Sequence, residues 1–107
     1  MNIRLNEKIY GLNGVALQDI DRNGNILGDI VLKSIMIEAL LRPHASEERV
    51  SGVEKLKRFN LAQKIYESTE EVSLQTEEVA LIKELVGVKG FPVLIVGRVF
   101  SMLEGRE

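Results

Sequence analysis

The residues best placed to do chemistry lie between Asp19 and Asn25. The run Asp19-Ile20-Asp21-Arg22-Asn23-Gly24-Asn25 sets oxygen-bearing side chains at alternating positions and a glycine where the chain must turn sharply. That is the first half of a calcium-binding loop, and Ile26 stands where such loops often carry an apolar residue. The second half fails. The twelfth position, which must supply a bidentate carboxylate, is Ile30, and Asp29 comes one place early. The residues before the run read as strand rather than helix. An Asp/Asn/Gly-rich turn between strands accounts for the same pattern without a metal, and none is expected.

Other reactive groups are sparse. His44 is the only histidine and falls in a polar stretch after Pro43, and the chain has no cysteine. A catalytic triad, a multi-histidine metal site and a thiol nucleophile therefore lack their residues. Paired acids occur at Glu47/Glu48, Glu70/Glu71 and Glu77/Glu78. Acid–base catalysis by such pairs needs burial to drive the two pKa values apart. These pairs sit in loops or at helix starts, where solvent and the helix dipole already favour the charged form. Gly87, Gly90 and Gly97 are too scattered to form a phosphate loop. No catalytic, cofactor-binding or metal-binding residue is assigned.

The remaining candidate is a surface. Lys57, Asn60 and Lys64 recur at spacings of three and four, with Arg58 beside them and Lys55 close by. Arg42 and Arg49 are near in sequence. This could contact phosphates, but it has no clustered aromatics for base stacking. A solvated helix face is the simpler reading. The chain has 14 basic and 16 acidic residues, a net charge of −2. Nucleic-acid-binding domains are usually basic, so nucleic acid is disfavoured as a partner.

Elements to position these residues follow from length and patterning. A chain of 107 residues, 45% hydrophobic and 28% charged, suits one globular domain with its own core. The start, MNIRLNEKIYGLNG, has no apolar signal-peptide core. No apolar run approaches the roughly 20 residues that span a bilayer. Absence of cysteine fits a reducing compartment, so a cytosolic location without membrane association is expected.

The pattern predicts an α+β fold: a small N-terminal β-hairpin or sheet over 1–33, then about four helices over 34–107. A hairpin is expected from about Lys8 to Gln18, turning at Gly11-Leu12-Asn13-Gly14. Asn23-Gly24 marks a second turn, with strand-like Ile26-Leu27 and Ile30-Val31-Leu32 after it. The first helix is read from Ser34 to Leu41, or from Asp29 if longer, and Pro43 ends it. Ser51-Gly52-Val53-Glu54 is a capping box for a helix from about Gly52 to Tyr66. Its apolar face is read as Leu61, Ala62, Ile65 and Tyr66, extended by Leu56 and Phe59. Residues 68–71 read as a polar connector. A third helix is expected from the N-cap Thr76, with left-handed Gly87 ending it. Pro92 suits the first turn of a fourth. Residues 92–103 fit a helix by their 3.6 period, although Val93-Leu94-Ile95-Val96 also fits a buried strand. This last segment is apolar on nearly every side, which admits self-association.

A resemblance follows from several of these stretches. Glu38-Ala39-Leu40-Leu41, Ser51-Gly52-Val53-Glu54-Lys55 with Arg58, Leu61-Ala62-Gln63-Lys64-Ile65, and Glu77-Glu78-Val79-Ala80-Leu81-Ile82-Lys83 resemble small proteins encoded by tailed bacteriophages and prophages. The matching positions are mostly caps and core residues, and no functional residues carry over. The resemblance implies a bacterial host cytosol and an accessory or assembly role. The expected function is non-enzymatic: binding a phage or host protein, with contact aromatics drawn from Tyr10, Tyr66 and Phe100. The alternative is a small nucleic-acid-associated regulator using helix 52–66. Calorimetric titration with millimolar calcium is expected to give no binding heat; a saturable exotherm would revive the metal reading.

Overall fold

A computed structural model describes residues 1–43 and 50–104. The expected loop residues His44, Glu47, Glu48 and Arg49 fall outside that range. The chain forms β1 (Asn2–Arg4), β2 (Gln18–Ile20), β3 (Ile26–Asp29), α1 (Leu32–Leu41), α2 (Gly52–Glu67), β4 (Glu71–Ser73), α3 (Thr76–Val88) and α4 (Val93–Leu103). The fold is α+β, with four helices and two-stranded antiparallel sheets.

The segment read as a polar connector is in part a strand. β4 pairs antiparallel with β1, setting Ile3 opposite Val72, both buried. The neighbours Asn2, Arg4, Glu71 and Ser73 point outward, the alternation a half-buried strand requires. Beyond the ladder, the Leu5 N–H donates to the Glu70 carbonyl at 2.8 Å and the Leu74 N–H to the Met1 carbonyl at 2.8 Å. Each run is too short to announce itself; the partner, about 70 residues away, supplies the missing hydrogen bonds.

α1 begins two residues before Ser34, and Ile30-Val31-Leu32 is not a strand. The first N–H groups of a helix need acceptors. Here Leu32 donates to the Glu7 carbonyl at 2.8 Å and Lys33 to the Leu5 carbonyl at 3.0 Å. Backbone from the N-terminal segment thus does what a capping side chain would do, and Val31 at the N-cap makes no side-chain cap. α2 starts as expected: the Ser51 hydroxyl accepts from the Glu54 N–H at 3.1 Å. α3 is capped one residue earlier than expected. Glu78 reaches back to the Gln75 N–H at 2.8 Å, which leaves Thr76 inside the helix.

Gly87 is helical, and the left-handed residue is Gly90, at φ +83°. Helix continues because the buried Lys89 caps it, its N–H donating to the Leu85 carbonyl at 3.0 Å. The Lys89 ammonium donates to the Arg42 carbonyl, and Arg42 Nη1 donates to the Lys89 carbonyl at 3.1 Å. The ends of α1 and α3 are thereby clasped. Residues 93–103 are a helix, with Ile95, Val99 and Leu103 buried at four-residue spacing.

The core draws on every part of the chain. Leu5 and Ile9 from the N-terminal segment, Leu32 and Met36 of α1, Ile65 of α2, Leu74, Ile82 and Val86, and Val99 and Leu103 of α4 are all fully buried. Ile65→Ala is expected to destabilise the fold by about 2–5 kcal/mol. Leu56→Ala, on the opposite side of the same helix, should change stability by no more than about 0.5 kcal/mol. Urea denaturation of both variants checks the pair; similar losses would mean that α2 is packed the other way round.

Candidate functional site

α2 buries only part of the face assigned to it. Leu61, Ala62 and Ile65 face the core, whereas Leu56, Phe59 and Tyr66 are exposed, from 52% for Phe59 to 70% for Tyr66. Leu41 at the end of α1 is exposed as well. One helix side packed on α1 cannot cover apolar residues spread over most of the circumference. The surplus emerges beside α1. Phe59, Ala62, Gln63 and Tyr66 line a recess of about 210 Å³ with Ile37 and Leu41. A wider depression of about 570 Å³ continues from Ile37, Leu41 and Tyr66 to Ser34, Glu38 and Arg42. Contiguous exposed apolar surface of this kind marks interaction sites in soluble domains.

The groove is held by rigid elements and has a partly cationic rim. The Lys33 ammonium lies 5.6 Å from the centre of the Tyr66 ring and donates to the Ser68 carbonyl at 2.7 Å. The Arg42 guanidinium stacks 4.3 Å from the Phe91 ring and pairs with Glu38. Lys55 is exposed one helical turn before Phe59.

The expected face lies elsewhere on α2. Lys57, Asn60 and Lys64 are exposed, and Lys64 pairs with Glu78 of α3 at 3.3 Å. Arg58 is half-buried, on the flank nearer the core. The structure thus keeps Lys57, Asn60 and Lys64 together on the α3 side of the helix, while the apolar groove opens on the α1 side. Of the contact aromatics, Tyr66 lines the groove. Phe100 is half-buried under Lys83, 5.2 Å from its ring centre. Tyr10 is part-exposed, its carbonyl held by Arg98 Nε at 2.9 Å. Sequence reasoning placed Phe59 and Leu56 in the core. The signal that would have found the groove is the excess of apolar positions in 53–66 over what one helix side can bury.

The calcium-like run is a self-satisfied turn. Asp21 Oδ1 accepts from the Asn23 N–H at 2.8 Å and the Asn25 N–H at 2.9 Å, and Asn25 Nδ2 donates to Oδ2 at 3.2 Å. Gly24 takes φ +82°, the left-handed turn position. The turn joins β2 to β3, where Ile20 pairs with Ile26 across the strands. Among the described residues nothing covers this arm: Ile20, Ile26 and Leu27 are 58–63% exposed. The hairpin expected over Lys8–Gln18 turns at Gly11–Gly14 but carries only the Tyr10–Ala16 bridge. Among the described residues, no group of three or more His, Cys, Asp or Glu is placed to hold a metal. No helix there is long and apolar enough to cross a membrane.

Comparison with protein-family models, characterised proteins and solved structures finds no match to this chain.

Two ion-linked features of the arm titrate in opposite directions. The Asn25 N–H, and then that of Asn23, bond the charged Asp21 carboxylate and hold its pKa below the ordinary range. That stabilisation is complete above the ordinary carboxylate pKa and is lost as pH falls through the native value. The Asp29 hydrogen bond and charge raise Lys8 above the ordinary lysine value, across a 3.0 Å ion pair. Its contribution is complete below that value and is lost as pH rises through the native one. The protection factors of the Asn23 and Asn25 amides, corrected for intrinsic exchange, are therefore expected to fall as pH drops below about 4. Asp21→Ala should give fast exchange already at neutral pH; equal protection in both proteins would contradict the turn's geometry.

Proposed function

We propose that this chain is a non-enzymatic accessory protein of a tailed bacteriophage or prophage. It works in the host cytosol by binding another phage or host protein, as an assembly factor or a modulator. The observation that carries the binding role is the apolar groove of Ile37, Leu41, Phe59 and Tyr66, open on a scaffold whose core is filled by other residues. Aromatic anchors around a recess are what protein interfaces concentrate their energy on. The phage setting rests on the resemblance at residues 38–41, 51–65 and 77–83.

The alternative, a small nucleic-acid-associated regulator, is favoured by the exposed Lys57, Asn60 and Lys64 along helix 52–66. The Lys64–Glu78 pair offsets part of that charge.

A photo-crosslinking residue at Tyr66 in lysates of infected and uninfected cells tests the first reading. It is expected to trap one discrete phage or host protein, and Phe59→Asp should reduce the yield at least about tenfold, as for a hot spot worth over 1.4 kcal/mol. Yield unaffected by that substitution would remove the groove from the interaction. A salt-dependent mobility shift of nucleic acid, abolished by charge reversal at Lys57 and Lys64, would favour the alternative instead.

A further inference from the structure

Among the described residues, two of the uncovered apolar surfaces differ in shape and charge. One is convex: the arm of β2 and β3, with Ile20 and Ile26 side by side and Leu27 at the irregularity in their pairing. The other is concave: the groove of Ile37, Leu41, Phe59 and Tyr66. The arm, from Gln18 to Asp29, carries three acids against one base. Asp19 is exposed and Asp21 is held as an anion by its turn. Among the described residues the groove rim carries Lys33 and Arg42 against Glu38. Within the described residues of one folded chain the two surfaces do not meet, since the arm's apolar side chains are exposed and the recess is not filled by them. The base of the arm is fixed by the Lys8–Val31 bridge and the Lys8–Asp29 pair. An isolated two-stranded hairpin is marginal in water, and packing against a helix is what it lacks.

We infer that the groove's occupant is the β2–β3 arm of a second copy of this chain, seated with Ile20 and Ile26 over Phe59 and Tyr66 and its acids on the side of Lys33 and Arg42. Apolar burial supplies the affinity and opposite charge the orientation. The contact is between unlike patches, so reciprocal exchange of arms closes a two-fold dimer, whereas one-way docking builds a chain. This inference rests on the groove being the protein-binding face proposed above, which the second copy fills when that partner is not bound.

Sedimentation velocity on the purified chain tests it, using an arm variant Ile20→Asp/Ile26→Asp and a groove variant Leu41→Asp/Phe59→Asp. All four positions are exposed, and circular dichroism with thermal melting confirms that each variant keeps its fold. Should an Asp variant unfold, the serine versions at the same positions take its place. The wild type is expected to associate at high micromolar concentration, and each variant alone to run as a monomer. An equimolar mixture of the two should associate again, because the intact groove of one accepts the intact arm of the other. A monomeric wild type, an arm variant that associates like wild type, or a mixture that stays monomeric overturns the inference. If the pure chain is monomeric while Tyr66 still crosslinks a different protein in a Phe59-dependent way, self-docking fails and the wider reading of the groove stands.

Discussion

Backbone hydrogen bonds from the first seven residues tie the two halves of this molecule together. On one side β1 pairs with β4, and Met1 and Leu5 extend the pairing to Leu74 and Glu70. On the other, the carbonyls of Leu5 and Glu7 accept from the first N–H groups of α1. The same segment sends Ile3 and Leu5 into the core. Remove it, and α1 has orphaned donors at its start, β4 has an unpaired edge, and the core loses two large side chains. A buried donor left without a partner costs roughly 1–3 kcal/mol, so these losses would compound.

With that segment in place, the helices divide their apolar residues unequally. α4, the greasiest stretch, is mostly consumed internally: Ile95, Val99 and Leu103 are buried, and Val96, Phe100 and Met102 pack against the core, with Val93 at its start left exposed. The reason for expecting self-association therefore moves. It does not lie in α4 but in α2 and the β2–β3 arm, which keep apolar side chains in solvent. α2 contributes three buried residues over sixteen positions, and its outer flanks are free to present one basic edge and one apolar edge.

Rigidity of the exposed parts follows from local chemistry. The groove sits on two helices clasped to the rest by the Arg42–Lys89 exchange and by Lys33 bonded to the Ser68 carbonyl. The arm's tip is set by Asp21, whose carboxylate gathers the N–H groups of the turn. A groove held this way loses little conformational entropy on docking, which favours binding per unit area.

Patterns within about fifteen residues were legible in the chain alone. The Ser51 cap, the helical period of 93–103, the Asp21–Asn25 turn and the α+β order all depend on neighbours in sequence, and they appear in the structure. The start of α1, the pairing of β1 with β4, and the end of α3 at Lys89 depend on partners far along the chain, so propensity could not show them. The same holds for the groove. Whether Leu56, Phe59 and Tyr66 face inward or outward is decided by which side of α2 the other elements cover. That is a property of packing, because a helix with apolar residues around most of its circumference offers more than one face to bury.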